Sequence, residues 1–411
     1  MVARGTSTAA PGYVCAFRGR RDSYQVPLAL AESNQLDQLI TDAYQTGLVR
    51  VAAKLGSASV RAKVNFRSES GIPVHRIRCL WRITAVEHLR HKLGFAPINT
   101  YGKLDSHYSL AAARRAAQNR ADLFLYNPYA WEAFTARYSH EPRKVLFQYH
   151  PHPELERRIL DDDGVRYPNV GESYSGTSTQ LAEEAIRRER DSWRYADLIF
   201  CASTFTKDSL IEAGADQRKC RVVPYGIEVP ATIEGQPHPE AFYATFIGSG
   251  AQRKGLHHLL LAWQRSSLPA SSRLILVCRV IDRGIERLAA ATPRVELRRG
   301  VGPLELQHIF ANSTLFVMPS LVEGFGQVYL EALAQGCPVL GTTSTCLPDV
   351  GAEKDGIFTV CPGNVDELIS TLEVLSRLLP ANRRIRDASR ACALRFPWCR
   401  FRNTLREHLA A

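Results

Sequence analysis

The clearest chemistry in the chain lies in two carboxylates and two glycines, Glu323, Gly324, Gly326 and Glu331. The apolar run Thr314-Leu315-Phe316-Val317-Met318 before them reads as a buried strand, and Gln327 to Ala334 has helical periodicity. Pro319 to Gly326 is therefore a strand–loop–helix corner. Glycines there let backbone N–H groups come close to a ligand, and the positive end of the new helix favours phosphate at the same spot. Carboxylates do not bind phosphate, but they accept hydrogen bonds from sugar hydroxyls. Together these features describe a site for a sugar carried on a nucleoside diphosphate. The plainer alternative is an acidic residue favoured by a helix dipole, with a second glutamate on a solvated face.

A second loop has related chemistry. Phe246-Ile247-Gly248-Ser249-Gly250-Ala251-Gln252-Arg253-Lys254-Gly255-Leu256 follows a strand and opens a helix. It is not a Walker A loop, because Leu256 stands where that loop needs lysine, and its glycines lack GxGxxG spacing. Gly248, Ser249, Gly250, Arg253 and Lys254 are its candidate anion-binding residues; the alternative is a basic loop that merely starts a helix. Lys144 to Tyr149 reads as another strand and ends in His150-Pro151-His152. Doubly wound sheets bind ligands at the carboxyl ends of parallel strands, which makes His150 the leading candidate histidine and His152 the second. Near the N-terminus, Gly19-Arg20-Arg21 follows the strand-like Tyr13 to Phe17, and either arginine would suit phosphate or a solvated turn. Asp161-Asp162-Asp163 invites a metal reading, but it follows the helical-looking Glu154 to Leu160, so a solvated helix end is expected and no metal site.

Strands and helices must hold these residues in place. After the first strand, a helix is expected around Val26 to Glu32, then weak signals to about residue 100, with a strand at Val74 to Leu80 and a helix at Ala85 to Leu93. A helix at Ser109 to Gln118 and strands at Ala121 to Tyr126 and Asp197 to Cys201 follow. Residues 164 to 178, rich in Gly, Ser, Tyr and Pro, read as a loop over a cleft, and Gln180 to Tyr195 as a charged helix. From Ala244 onward, strands and helices alternate cleanly, which means a parallel sheet covered on both faces. Two domains are expected, at 13–228 and 241–397, with a disordered leader at 1–12, a Pro-rich linker at 229–240 and a final helix at 398–411.

At 411 residues and 45% hydrophobic content the chain can fill two cores. It holds no apolar run of the ~20 residues that a membrane helix needs. Ten scattered cysteines without a CxxC pair suggest free thiols, and with the polar N-terminus they lead to the expectation of a cytoplasmic protein. The net charge of +11 resides in residues 1–120, which carry 18 Lys/Arg against 7 Asp/Glu. That excess suits an anionic membrane surface, nucleic acid, an acidic substrate or simple solubility.

Glu323-Gly324-Phe325-Gly326 through Glu331-Ala332-Leu333-Ala334, with Gly336-Cys337-Pro338-Val339, resembles the E-x7-E signature of retaining glycosyltransferases of family 4. The resemblance implies an α/β GT-B fold: two Rossmann-like domains facing a cleft, with a C-terminal helix crossing back to the first. It implies transfer of a hexosyl group from a nucleoside-diphosphate sugar to a polysaccharide, glycolipid or similar acceptor. No cofactor or metal is implied, nor a nucleic-acid partner, and peripheral contact with the inner face of an anionic membrane is a further expectation. By this resemblance Glu323 holds hydroxyls of the transferred sugar and Glu331 those of the ribose. Lys254 and the backbone at Gly324 and Phe325 hold the diphosphate, and His150 positions the sugar. Ser249 stands where the family carries arginine, so either Arg253 supplies that charge or the chain is a non-catalytic sugar-nucleotide binder. A GT-B epimerase is disfavoured by the E-x7-E spacing.

Overall fold

The computed structural model describes residues 11–45, 66–81, 86, 100–171, 183–238 and 240–411. The first sheet has 7 parallel strands in the order β3-β2-β1-β4-β5-β6-β7. These are β1 (Tyr13–Ala16), β2 (Leu36–Thr41), β3 (Ile77–Cys79), β4 (Asp122–Tyr126), β5 (Lys144–Gln148), β6 (Leu198–Cys201) and β7 (Cys220–Val222). The second sheet has 6 parallel strands in the order β10-β9-β8-β11-β12-β13. They are β8 (Tyr243–Ile247), β9 (Arg273–Val277), β10 (Val295–Arg298), β11 (Leu315–Val317), β12 (Val339–Thr342) and β13 (Ile357–Val360). Strand order reverses between β1 and β4 in one sheet and between β8 and β11 in the other. Loops leaving such switch points form a crevice, and here those loops carry Arg21 and Lys254.

Central strands are continuously buried. β1, β6, β11 and β12 show no exposed residue, as expected of parallel strands covered by helices on both faces. β2 is the strand least visible in sequence, since Leu36-Asp37-Gln38 begins it. Asp37 is buried there because Arg115 Nε donates to it at 2.7 Å and Asn119 Nδ2 at 2.9 Å, both from the helix Thr100–Asn119.

Three local expectations need correction. The strand at Val74 to Leu80 is a 3-10 turn over Val74–Arg76 followed by the short β3. The helix after His152 continues to Arg166, so residues 164–166 of the anticipated loop are helical. Asp161 and Asp162 are solvent-exposed as expected, but Asp163 is buried against the second domain. The expected helix at Ala85 to Leu93 lies outside the described residues apart from Val86, as do residues 1–10, 172–178 and 180–182.

The chain ends in helices Arg383–Leu394 and Trp398–Ala410. The second crosses back to the first domain, burying Phe401, Leu405 and Leu409. Arg143 Nη1 donates to the Leu409 carbonyl at 2.7 Å, and Arg402 Nη1 donates to Gln25 Oε1 at 2.6 Å. Among the described residues no helix is long and apolar enough to cross a membrane.

The crossing helix is held by burial more than by charge. Leu405→Ala should destabilise by about 2–5 kcal/mol, the usual range for a buried leucine. Removing Arg406, which pairs with Glu32 at a wet surface, should change stability by only about 0–1 kcal/mol. Urea midpoints of the two variants will separate the effects.

Candidate functional site

Loops from both domains meet in a cleft of about 520 Å³. From the first domain come Arg21 and Asp22 after β1, with Tyr149 and His150 after β5. From the second come Gly248, Ser249 and Lys254 after β8, with Glu323, Phe325, Gly326 and, on the following helix, Gln327 and Glu331. Each loop leaves the carboxyl end of a parallel strand. Gly250, Arg253 and Gly324 do not line the cavity.

Glu323 is the hub. It is 5% exposed, and Arg253 Nη1 donates to its Oε2 at 3.1 Å while the Lys254 ammonium contacts the same oxygen. Burial alone would push its pKa up, but Arg253 and Lys254 outweigh that and hold the carboxyl at about 2. Burial pulls Lys254 below the usual lysine range, against the opposing influence of Glu323. Burial, reinforced by Arg253, Arg21 and Lys254, pushes His150 down to about 3, so its imidazole is neutral. Its buried Nδ1 has no hydrogen-bond partner among the described residues.

The backbone brings the two loops of the second domain together. The Leu321 N–H donates to the Arg253 carbonyl at 2.9 Å. Gly255 has φ +65°, and a Cβ there would lie 1.9 Å from the Pro319 carbonyl oxygen. No other residue type fits that approach.

Gly324 serves a different purpose from the one its sequence context suggests. A Cβ on it would meet the Tyr149 carbonyl oxygen at 1.8 Å, and its own carbonyl accepts from Ser203 Oγ at 2.5 Å and Thr206 Oγ1 at 3.2 Å. The glycine joins the two domains by this close approach and these two hydrogen bonds. The neighbouring Thr204 N–H donates to Asp349 Oδ2 at 2.7 Å, another bond across the domains.

Ser249 lines the cavity and Arg253 does not. Arg253 is committed to Glu323, to the Val322 carbonyl at 3.2 Å and to Glu156 at 3.9 Å. The second cation in the cavity is Arg21, from the opposite domain. Its Nη2 donates to the Tyr149 hydroxyl at 2.9 Å, and its guanidinium lies 4.0 Å from that ring's centre. Behind it Asp22, Ser23 and Tyr24 all have positive φ, at 45°, 51° and 62°. Left-handed conformations cost ~1–2 kcal/mol per residue outside glycine, and such outliers gather at functional sites. Sequence pointed to Arg20 or Arg21 equally; Arg20 does not line the cavity. Asp22, Tyr149, Tyr225 and Gln327 were not anticipated, and only their positions after strand ends could have marked them. His152 faces away, its Nε2 lying 3.1 Å from the Arg190 carbonyl oxygen.

Residues 241–377 match the family model described as glycosyl transferases group 1. The chain has the GT-B fold. Across 97% of its length it superposes on 99% of the Anabaena HepE chain solved in complex with UDP-glucose, with a TM-score of 0.58 at 14% identity. It is 28% identical over 204 residues to the MMP alpha-(1->4)-mannosyltransferase of Mycolicibacterium hassiacum, covering 48% of this chain and 49% of that one. It is 32% identical over 239 residues to the O-antigen chain mannosyltransferase B of Escherichia coli, covering 54% of this chain and 61% of that one. The matches thus span about half the length of the curated relatives.

The depressed Glu323 pKa makes a pH prediction. The carboxylate contributes stability above its ordinary value of 4.5, and that contribution is lost as pH falls through about 2. A shift of this size corresponds to about 3 kcal/mol. The stability difference between wild type and Glu323→Gln should therefore shrink as pH falls from 4.5 to 2, measured by denaturant unfolding at each pH. A constant difference across that window would contradict the ion-pair assignment.

Proposed function

We propose that the chain is a retaining hexosyltransferase that moves a sugar from a nucleoside-diphosphate sugar to a polysaccharide, glycolipid or similar acceptor. The observation that carries this reading is the meeting of Lys254, Arg21, Glu323 and Glu331 in one cleft at the strand switch points of both sheets. The group 1 match over residues 241–377 and the two mannosyltransferase relatives support it, and they put mannosyl donors first.

In this reading the donor diphosphate lies between Lys254 and Arg21. When the bond from the anomeric carbon to the diphosphate oxygen breaks, its electron pair stays on the leaving diphosphate, and both cations stabilise the charge that develops. The acceptor hydroxyl oxygen then bonds to the anomeric carbon from the same face, and its proton passes to the departing phosphate oxygen. Glu323, already engaged by two cations, is a poor nucleophile and instead accepts hydrogen bonds from sugar hydroxyls. Glu331 does the same for the ribose, and the neutral His150, which lines the same cleft, positions the sugar. The cationic role needs no metal at the reacting atoms. Loss of the arginine at Ser249 would favour a non-catalytic binder, but Arg21 restores a second positive charge from across the cleft.

The test is turnover of a GDP-, UDP- and ADP-sugar panel with glycan acceptors, the product's anomeric configuration being read by NMR before it equilibrates. Retention is expected; inversion would contradict the mechanism. Lys254→Ala should lower kcat/KM by about 10²–10³-fold, the range for removing one group that stabilises transition-state charge. Arg21→Ala should cause a large loss too, and full activity in that variant would remove Arg21 from the cradle. The basic first 120 residues also suit an anionic membrane face. Binding to phosphatidylserine vesicles should then fall steeply with salt, and absence of binding at low salt would contradict membrane docking.

A further inference from the structure

Asp163, His257 and His258 form a buried cluster that none of the cleft chemistry uses; none of the three lines the cavity. Asp163 lies on the helix Pro153–Arg166 of the first domain. His257 and His258 open the helix Leu256–Arg265 of the second, directly after the loop that carries Lys254. We propose that these three side chains bind one divalent transition-metal ion of the zinc class, clasping the two domains together.

The geometry supports this. His258 Nε2 is 2.9 Å from Asp163 Oδ1, and His257 Nε2 is 3.1 Å from Oδ2 and 3.4 Å from Oδ1. Ligand bonds of ~2.0–2.1 Å in a tetrahedron put donor atoms about 3.3 Å apart, close to these imidazole–carboxylate separations, and one ligand atom from each of the three residues lies within 4.8 Å of the others. Exposure of the three residues is 7%, 0% and 2%. Both buried imidazoles thus aim their Nε2 at the same carboxylate, one at each oxygen, so three potential ligand atoms converge in a dry pocket. Two imidazoles and a carboxylate match zinc, cobalt or nickel rather than magnesium or calcium.

The surroundings orient the donors. Gln252 Nε2 donates to Asp163 Oδ2 at 2.7 Å and to the Leu160 carbonyl at 3.0 Å, which fixes the carboxylate as an outer-shell partner would. The Tyr167 ring packs edge-on against both imidazoles, with centroids 5.1 and 5.0 Å away. Three protein ligands leave a fourth position for water. Because His257 follows Lys254 by three residues, an ion here would fix the donor loop as well as the angle between domains. The sequence alone led to the opposite expectation, of no metal site.

The test uses the full chain, stripped of metal by chelator dialysis and titrated with Co²⁺ alone. The expected result is one equivalent bound with the visible d–d absorption of tetrahedral cobalt, without a thiolate charge-transfer band that would point to the cysteines. Zn²⁺ should displace it and raise the Tm of the wild type. His258→Ala and Asp163→Asn, with folding checked by circular dichroism, should lose the band. No band in the wild type, or the same band and stoichiometry in both variants, would overturn the proposal. Should the variants not fold, X-ray absorption of zinc-loaded wild type decides: two imidazoles and no sulfur support the site, and a zinc–sulfur shell contradicts it.

Discussion

A carboxylate buried between two cations is the constraint on which the cleft depends. Taking Glu323 out of water costs several kcal/mol, and only good geometry with Arg253 and Lys254 offsets it. That requirement draws the loop after β8 onto the loop after β11. It also turns Arg253 away from the cavity towards Glu156 on the first domain. Lys254 is left at the cavity edge, partly shielded from water, where its charge acts through a low dielectric.

Close backbone approach completes the arrangement. Gly255 lets the two loops of the second domain touch, and Gly324 lets the second domain touch the first. A side chain at either position would move loops apart by more than an ångström. The joined state also fixes the hydroxyls of Ser203 and Thr206 on the Gly324 carbonyl. The crossing helix Trp398–Ala410 ties the same two domains from behind, and Tyr225 stacks on Phe147 while meeting Phe325 edge-to-face.

Much of this was legible in sequence where local pattern and burial agree. In the second domain, parallel strands are continuous apolar runs and their helices are amphipathic, so boundaries such as Gln327–Ala334 and Trp398–Ala410 can be read directly. Glu323, Lys254 and His150 were also readable, because each follows a strand end. What sequence hid were features that need a distant partner. β2 begins with a polar Leu-Asp-Gln that only Arg115 and Asn119 make buriable. Asp163 looks like one of three solvated aspartates until His257, His258 and Gln252 arrive from the other domain. Arg21 cannot be told from Arg20 until three successive left-handed residues turn the chain and aim it at Tyr149.

In the proposed function this cleft holds a nucleoside-diphosphate sugar through charges supplied by both domains. Isothermal titration calorimetry of GDP-, UDP- and ADP-sugars against wild type and Glu331→Ala tests it most directly. Saturable binding of one nucleotide class, at one site per chain and weakened when the ribose acceptor at Glu331 is removed, is the predicted result. Absence of binding by every member of the panel, or binding unchanged in Glu331→Ala, would contradict it.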